Sequence, residues 1–525
     1  MSWNRLHLFL AVVYLAALLI VGILTGRKKR DSNQFLNATG SLPLWVCIIA
    51  CIAANCGSLD VMGMMALGAQ YGTLAFHFYW IGAIPALVVV AFWLLPAYAR
   101  GRYPTVLDYI SHHYGSATRS LVSLCMSLTM LLLAGVCLCA VAQVIVTFLG
   151  LTFLQGVLIT APVVLFYTWA GGFRATVYTE LLHFVVVLAA LVPLLFLTVN
   201  EFGGFDKLLR SIPPARFHAW HNLPLIAPGA TMDRFGLIVG LGLVLSFSYW
   251  STDFVQMQRA LAVRMPRDVP YIPLSMAASK LIFALLVVLP GVAAPLILGR
   301  RLATNWNATL PEMMIHFYGP AWVAIGVMGL VASLVSTFAN NVAGFTSAWV
   351  QGIYQPRIRP QATDSHYLWV GRTSNAAAVI ISIGSAYVAL RYQSLMEYIQ
   401  LILSTFNAPL FALVALAALA PRRTARGGVG GFAMGVASAM LQQSLVIAGV
   451  LHFGSQMSAN FYTAILSFAV TIAGTVTIGV IRGRAVPADQ RINKLEPAAV
   501  RFSTLTVMWA IVVAGVCVLF NVLFW

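Results

Sequence analysis

The chain has 525 residues, 60% of them hydrophobic and 9% charged, with a mean hydropathy of +0.88. That composition excludes a soluble enzyme or signalling module and describes an all-α integral membrane protein. The formal charge of +17 does not point to nucleic acid: the basic residues sit in short clusters between apolar runs, as cytoplasmic anchors do, and not on one soluble face.

Taken in order, the first apolar run, 6–26, is followed at once by Arg27, Lys28, Lys29 and Arg30 and lacks a small-residue cleavage site, so it reads as a retained span with its N-terminus outside. Further apolar windows lie near 43–70, 74–99, 118–149, 151–171, 177–199, 234–258, 271–299, 320–352, 369–391, 395–420, 427–452, 461–482 and 504–525, which makes about 14 transmembrane helices. Alternating the loops gathers Arg100, Arg119, Arg174, Arg259, Arg264 and Arg357 with the first cluster on the cytoplasmic side, and places both termini on the external side of a plasma membrane, the inner membrane for a bacterial chain. Gly171-Gly172 marks a tight cytoplasmic turn. Residues 201–233, rich in Pro, His and Trp, form an external loop.

The second window carries Asn55, Gly57, Ser58 and Asp60 at bilayer depth. A helix in hydrocarbon satisfies its own backbone, so polar side chains beside a glycine predict a helix broken on purpose, with freed carbonyls able to bind an ion. Other ionisable residues within spans are Glu180, His183, Asp253 and Lys280. Such groups need a partner or a water-filled path. Lys280 is expected to pair with Glu180 or Asp60, and Asp253, close before Arg259, to be solvated near the inner surface. In LVASLVSTFANNVAG, residues 330–344, Ser333, Ser336, Thr337 and Asn340 share one helical face. Hydroxyls in a stripe can be packing glue, but with freed carbonyls they also make the oxygen cage that a hard cation such as sodium prefers. The seven cysteines all fall in expected spans and read as packing residues, and His77 and His183 have no ligand-spaced companions. No His-Glu-x-x-His motif and no nucleophile with its base occurs, so no enzyme is expected.

Several stretches together resemble the sodium/solute symporter family, and within it the sodium/sugar (galactose/glucose) cotransporter branch: IAAN at 52–55, GRYPTVLDYISHHYG at 101–115, FYTWAGGFRATVYTELLHF at 166–184, SYWSTDFVQMQRALAVRMPRDV at 248–269, KLIFALLVVLPGVAA at 280–294 and LVSTFANN at 334–341. The resemblance implies a LeuT-like core of two inverted five-helix repeats whose first helices, here the second and seventh spans, are broken. It divides the chain into an extra N-terminal helix and basic loop (1–30), a first repeat (43–200), the external loop (201–233), a second repeat (234–421) and additional C-terminal helices (422–525). It implies Na+ as coupling ion, held by the carbonyls of Ala53, Cys56 and Ser333 and the side chains of Ser336 and Thr337. It puts a solute pocket at Asn55, Asp60, Tyr79, Ser246 and Lys280, with Tyr249 as aromatic gate. Asp60, Tyr79 and Ser246 stand where the branch is expected to have glutamine, glutamate and asparagine, so the solute or its pose differs. Glu180 occupies the place of an aspartate that some members use for a second sodium, and Gly352 replaces an acidic residue.

The function these features imply is sodium-coupled import of a small polar solute, a hexose or related sugar, by alternating access. The alternatives are a non-sugar solute such as an amino acid, carboxylate or vitamin, proton coupling through Asp60 or Glu180, or a transporter-like sensor. The partners expected are the solute and the bilayer, with neither nucleic acid nor an obligate protein partner.

Overall fold

A computed structural model of the chain describes residues 42–100, 103, 105–165, 180–220, 223–225, 232–264, 268–302, 305–392, 394–419, 425–481 and 502–525. The first expected span and its basic flank lie outside the described residues. Among those described, nine helices are long and apolar enough to cross a membrane, and Leu44–Asn55, Phe153–Leu165 and Gly236–Thr252 are shorter apolar helices. No strand occurs among them, only one isolated parallel bridge between Leu42 and Val263.

The second span is broken where the sequence predicts. Helix α1 (Leu44–Asn55) stops at Cys56, whose N–H still bonds the Ile52 carbonyl at 2.7 Å. Gly57 is extended, and α2 (Ser58–Tyr71) restarts with Val61 N–H on the Gly57 carbonyl at 3.0 Å. Gly72, at φ 69°, then turns the chain against the segment that follows α4, where a β-carbon would lie 2.6 Å from the Arg216 carbonyl.

After the linking helices come two long elements, α3 (Val106–Leu149) and α4 (Phe153–Glu201). Thr105 caps α3 by accepting from Asp108 N–H at 3.3 Å, and Gly115, at φ 81°, interrupts it. Thr152 and Gln155 form a reciprocal capping box at the start of α4. The turn expected at Gly171-Gly172 falls within 166–179, a stretch of α4 outside the residues whose placement the structure describes.

The seventh span is the other broken element. A π-helical stretch, Gly236–Leu245, runs into α5 (Ser246–Thr252), which ends at Asp253. That residue closes α5 with its N–H on the Tyr249 carbonyl (2.9 Å) and opens α6 (Phe254–Leu261) by accepting from Gln256 N–H (2.7 Å). The Leu42 bridge, with N–H bonds to the Ala262 carbonyl and from Arg264, each 3.0 Å, ties the entrance of α1 to the exit of α6. Helix α7 (Tyr271–Phe283) brings Lys280 inward. Helix α8 (Pro320–Trp349) lies against α3 and α4 and touches α2 and α6. Helix α9 (Leu395–Ile402) packs on α2 and α3.

All seven cysteines are free, six of them buried, as packing residues should be. His77 is buried with Nε2 3.1 Å from the Ala219 carbonyl, an interior histidine as expected. The segment after α4 contains two short helices, Phe205–Ser211 and Pro214–Phe217, and closes over the C-terminal helix α11 (Thr504–Leu523), which follows α10 (Gln456–Ile481). Ala219 N–H donates to the Phe524 carbonyl at 2.8 Å and Trp220 Nε1 to Asn521 at 3.0 Å.

Candidate ion and solute sites

The break between α1 and α2 leaves the last carbonyls of α1 without helical partners, and α8 supplies hydroxyls opposite them. The Ala53 carbonyl, Ser333 Oγ and Thr337 Oγ1 each lie 3.3 Å from the point where a β-carbon on Gly57 would stand. Glycine keeps that space open. Ser336 Oγ is buried and finds no hydrogen-bond partner among the described residues, a costly arrangement unless something else binds it. Thr337 donates to the Ser333 carbonyl at 2.9 Å. The structure therefore brings Ala53, Ser333 and Thr337 around the gap, with Cys56 beside Gly57 on the break and Ser336 on the adjoining turn of α8. These donors are the oxygen set that suits a hard cation. The Ser333 hydroxyl, facing Gly57, is a further oxygen that the sequence reading did not use.

Next to this cradle is a cavity of about 170 Å³ lined by Asn55, Asp60, Tyr79, Ser246, Tyr249 and Lys280, all six expected solute residues. Its polar centre is an ion pair. Lys280 Nζ lies 3.1 Å from Asp60 Oδ2, Tyr79 Oη donates to the same oxygen at 2.7 Å, and the ammonium stands 4.5 Å from the centre of the Tyr79 ring. Asn55 Nδ2 donates to Tyr249 Oη at 3.3 Å, which ties the first break to α5. Asn55 Oδ1, Ser246 Oγ, Gln256 Oε1 and Gln400 Oε1 are buried without partners among the described residues. Gln256 and Gln400 also line the cavity but were absent from the expected set. Gln400 sits in an otherwise apolar stretch, YIQLIL, a signal that could have exposed it.

Of the two partners open to Lys280, the structure selects Asp60. Glu180 is held elsewhere: Arg259 clamps it through Nε to Oε2 at 3.1 Å and Nη2 to Oε1 at 2.6 Å, and Asn340 Nδ2 donates to Oε1. The Arg259 and Glu180 side chains are only 1% and 4% exposed. Arg259 is thus no cytoplasmic loop charge but a buried bidentate partner joining α4, α6 and α8. Asp253 differs from expectation as well. It is buried, lines the cavity and caps α6, because α6 needs an acceptor where the helix breaks.

Two interrupted helices flanking a polar cavity, with an oxygen cradle at one break, make the molecule a secondary transporter that carries an ion together with a solute. The sequence profile of the Sodium:solute symporter family matches residues 35–435, and the chain belongs to that family. It is 24% identical over 498 residues to the sodium/glucose cotransporter of Vibrio parahaemolyticus, covering 87% of this chain and 88% of that protein. It is 24% identical over 473 residues to the sodium/myo-inositol cotransporter 2 of Rattus norvegicus, covering 83% of this chain and 69% of that one. A Na+-coupled sialic acid symporter, solved substrate-bound and outward-open, shares the fold with a TM-score of 0.79 at 14% identity, over 92% of this chain and 99% of its own. The protein is accordingly a multi-pass membrane transporter and not an enzyme, with sodium as its coupling ion.

Proposed function

We propose that the protein imports a small hydroxyl-rich solute, a hexose or related polyol, together with sodium, by alternating access across a plasma membrane with both termini outside. The observation that carries the reading is that Gly57 and Thr337 belong to both places: they bound the oxygen cradle and also line the cavity. Sodium entering among Ala53, Cys56, Ser333, Ser336 and Thr337 would draw α8 and the first break together and so set the wall of the solute pocket. Solute hydroxyls then meet the unpartnered oxygens of Asn55, Ser246, Gln256 and Gln400 and the Asp60–Lys280 pair, with Tyr249 as the gate. Rocking of 43–200 against 234–421, read as the two inverted repeats, releases both on the inside. The names of the glucose and inositol relatives favour sugars and polyols as the cargo. Asp60 and Glu180, the carboxylates considered for proton coupling, each have a cation within 3.1 Å, which favours sodium.

Proteoliposomes with an imposed sodium gradient at constant pH test this. Uptake of labelled glucose, galactose or myo-inositol should require sodium outside; uptake indifferent to sodium defeats the coupling, and sodium-driven uptake of only non-sugar solutes defeats the choice of cargo.

A further inference from the structure

We propose that Asp60 sets the charge class of the cargo: by occupying Lys280 it makes the cavity reject carboxylate-bearing solutes and accept neutral ones. The inference rests on the reading of this cavity as the solute site. Among the residues lining it Lys280 is the one cation, so an acidic sugar or other carboxylate has a single candidate anchor. That anchor is taken. Lys280 Nζ is 3.1 Å from Asp60 Oδ2 and is further held over the rings of Tyr79 at 4.5 Å and Trp250 at 5.9 Å. The Lys280 side chain is 3% exposed and that of Asp60 19%, so the carboxylate is the more open member of the pair. A second carboxylate would approach one already there, and two such groups around one ammonium repel each other. A neutral hydroxyl meets the opposite situation. Lys280 and Tyr79 both bond Oδ2, which leaves Oδ1 to accept a hydrogen bond from a solute.

The Tyr79 hydroxyl, donating to Oδ2, orients the Asp60 carboxylate. Selectivity against anions therefore depends on Asp60.

The test is sodium-driven uptake into proteoliposomes of paired solutes differing in a carboxylate, glucose with glucuronate and lactamide with lactate. The native chain should favour a neutral member at least about tenfold, a step a difference of one buried charge can readily supply. Asp60→Asn should erase or reverse that preference by raising uptake of the acid, and Asp60→Asn with Lys280→Met should abolish the gain. An unchanged ratio in D60N, or a native preference for the acid, overturns the proposal. Selectivity confined to the lactamide pair sustains it while removing sugars as the cargo. If neither pair is carried, the melting temperatures of D60N, K280M and the double variant decide: a double variant more stable than either single one supports the neutralised pair, and additive losses overturn it; if D60N does not fold, a folded double variant supports the pair and an unfolded one overturns it.

Discussion

Gly57 is the residue on which the proposed ion site turns, because three oxygens face the space its missing side chain leaves. Gly57→Ala puts a methyl group at 3.3 Å from each, tight but not grossly overlapping. It should therefore fold, with a melting temperature within a few degrees of native, and lose sodium stimulation of uptake. Ser336→Ala and Thr337→Ala remove the α8 hydroxyls proposed as sodium ligands, and each should raise the sodium concentration for half-maximal uptake by about tenfold, equivalent to ~1.4 kcal/mol. Unchanged sodium dependence in both would exclude the α8 hydroxyls as ligands. The hydroxyl stripe was legible from three- and four-residue spacing alone. The role of Gly57 was not, since a glycine in a polar interruption says only that the backbone bends there and not what faces it.

At the scale of elements, close helix approach through small residues carries much of the packing. Gly431 and Gly435 on Gly428–Ile447 face α10 so closely that a β-carbon would stand 1.9 Å from Thr475 Oγ1 and 1.8 Å from Thr471 Oγ1. Gly431→Val should cost about 1–3 kcal/mol through overpacking, read as a lowered melting temperature, whereas Gly515→Ala on α11, with nothing within 4 Å, should raise it slightly, since alanine favours the helix. Gly68 and Gly291 do the same for α2 and the helix Leu289–Leu298: a β-carbon on Gly291 would lie 2.4 Å from the Met65 carbonyl. The C-terminal end of α2 is also held by α9, where Tyr71 Oη donates to Glu397 at 3.1 Å and Gln70 Nε2 at 3.3 Å. Arg216, from the short helix Pro214–Phe217, donates to the carbonyls of Gly68 and Ala69. Burial lowers the affinity of this loop guanidinium for its proton, which hydrogen bonds to carbonyls alone do not offset.

For the whole molecule, the Arg259–Glu180–Asn340 cluster matters because it joins α4, α6 and α8, and α8 also bears the cradle hydroxyls. Glu180→Gln or Arg259→Met alone strands a buried charge and should cost about 3–5 kcal/mol, while the double variant should recover much of the loss, as a thermal-melt cycle would register. Transport has its own ceiling. One sodium crossing 100 mV yields about 2.3 kcal/mol, and a tenfold sodium gradient adds about 1.4 kcal/mol. A one-to-one symporter should thus concentrate its solute by no more than several hundredfold, and steady-state accumulation well above that would require a second sodium.

Hydropathy windows, positive clusters and polar residues at bilayer depth determined by themselves that the chain is a helical membrane protein, broken in its second span, with hydroxyls on one face of α8; the break in the seventh span was implied only by resemblance. These are properties of local sequence: burying backbone in hydrocarbon dictates helix length, and helical periodicity dictates which side chains share a face. Which charges meet was decided only by the tertiary structure. Asp60 and Lys280 are 220 residues apart, Glu180 and Arg259 79, and nothing along the chain distinguishes the pairs observed from those not formed. A buried charge takes the partner that packing brings within reach, so Arg259, which reads as a loop cation, became a core residue, and Asp60 became the partner of Lys280.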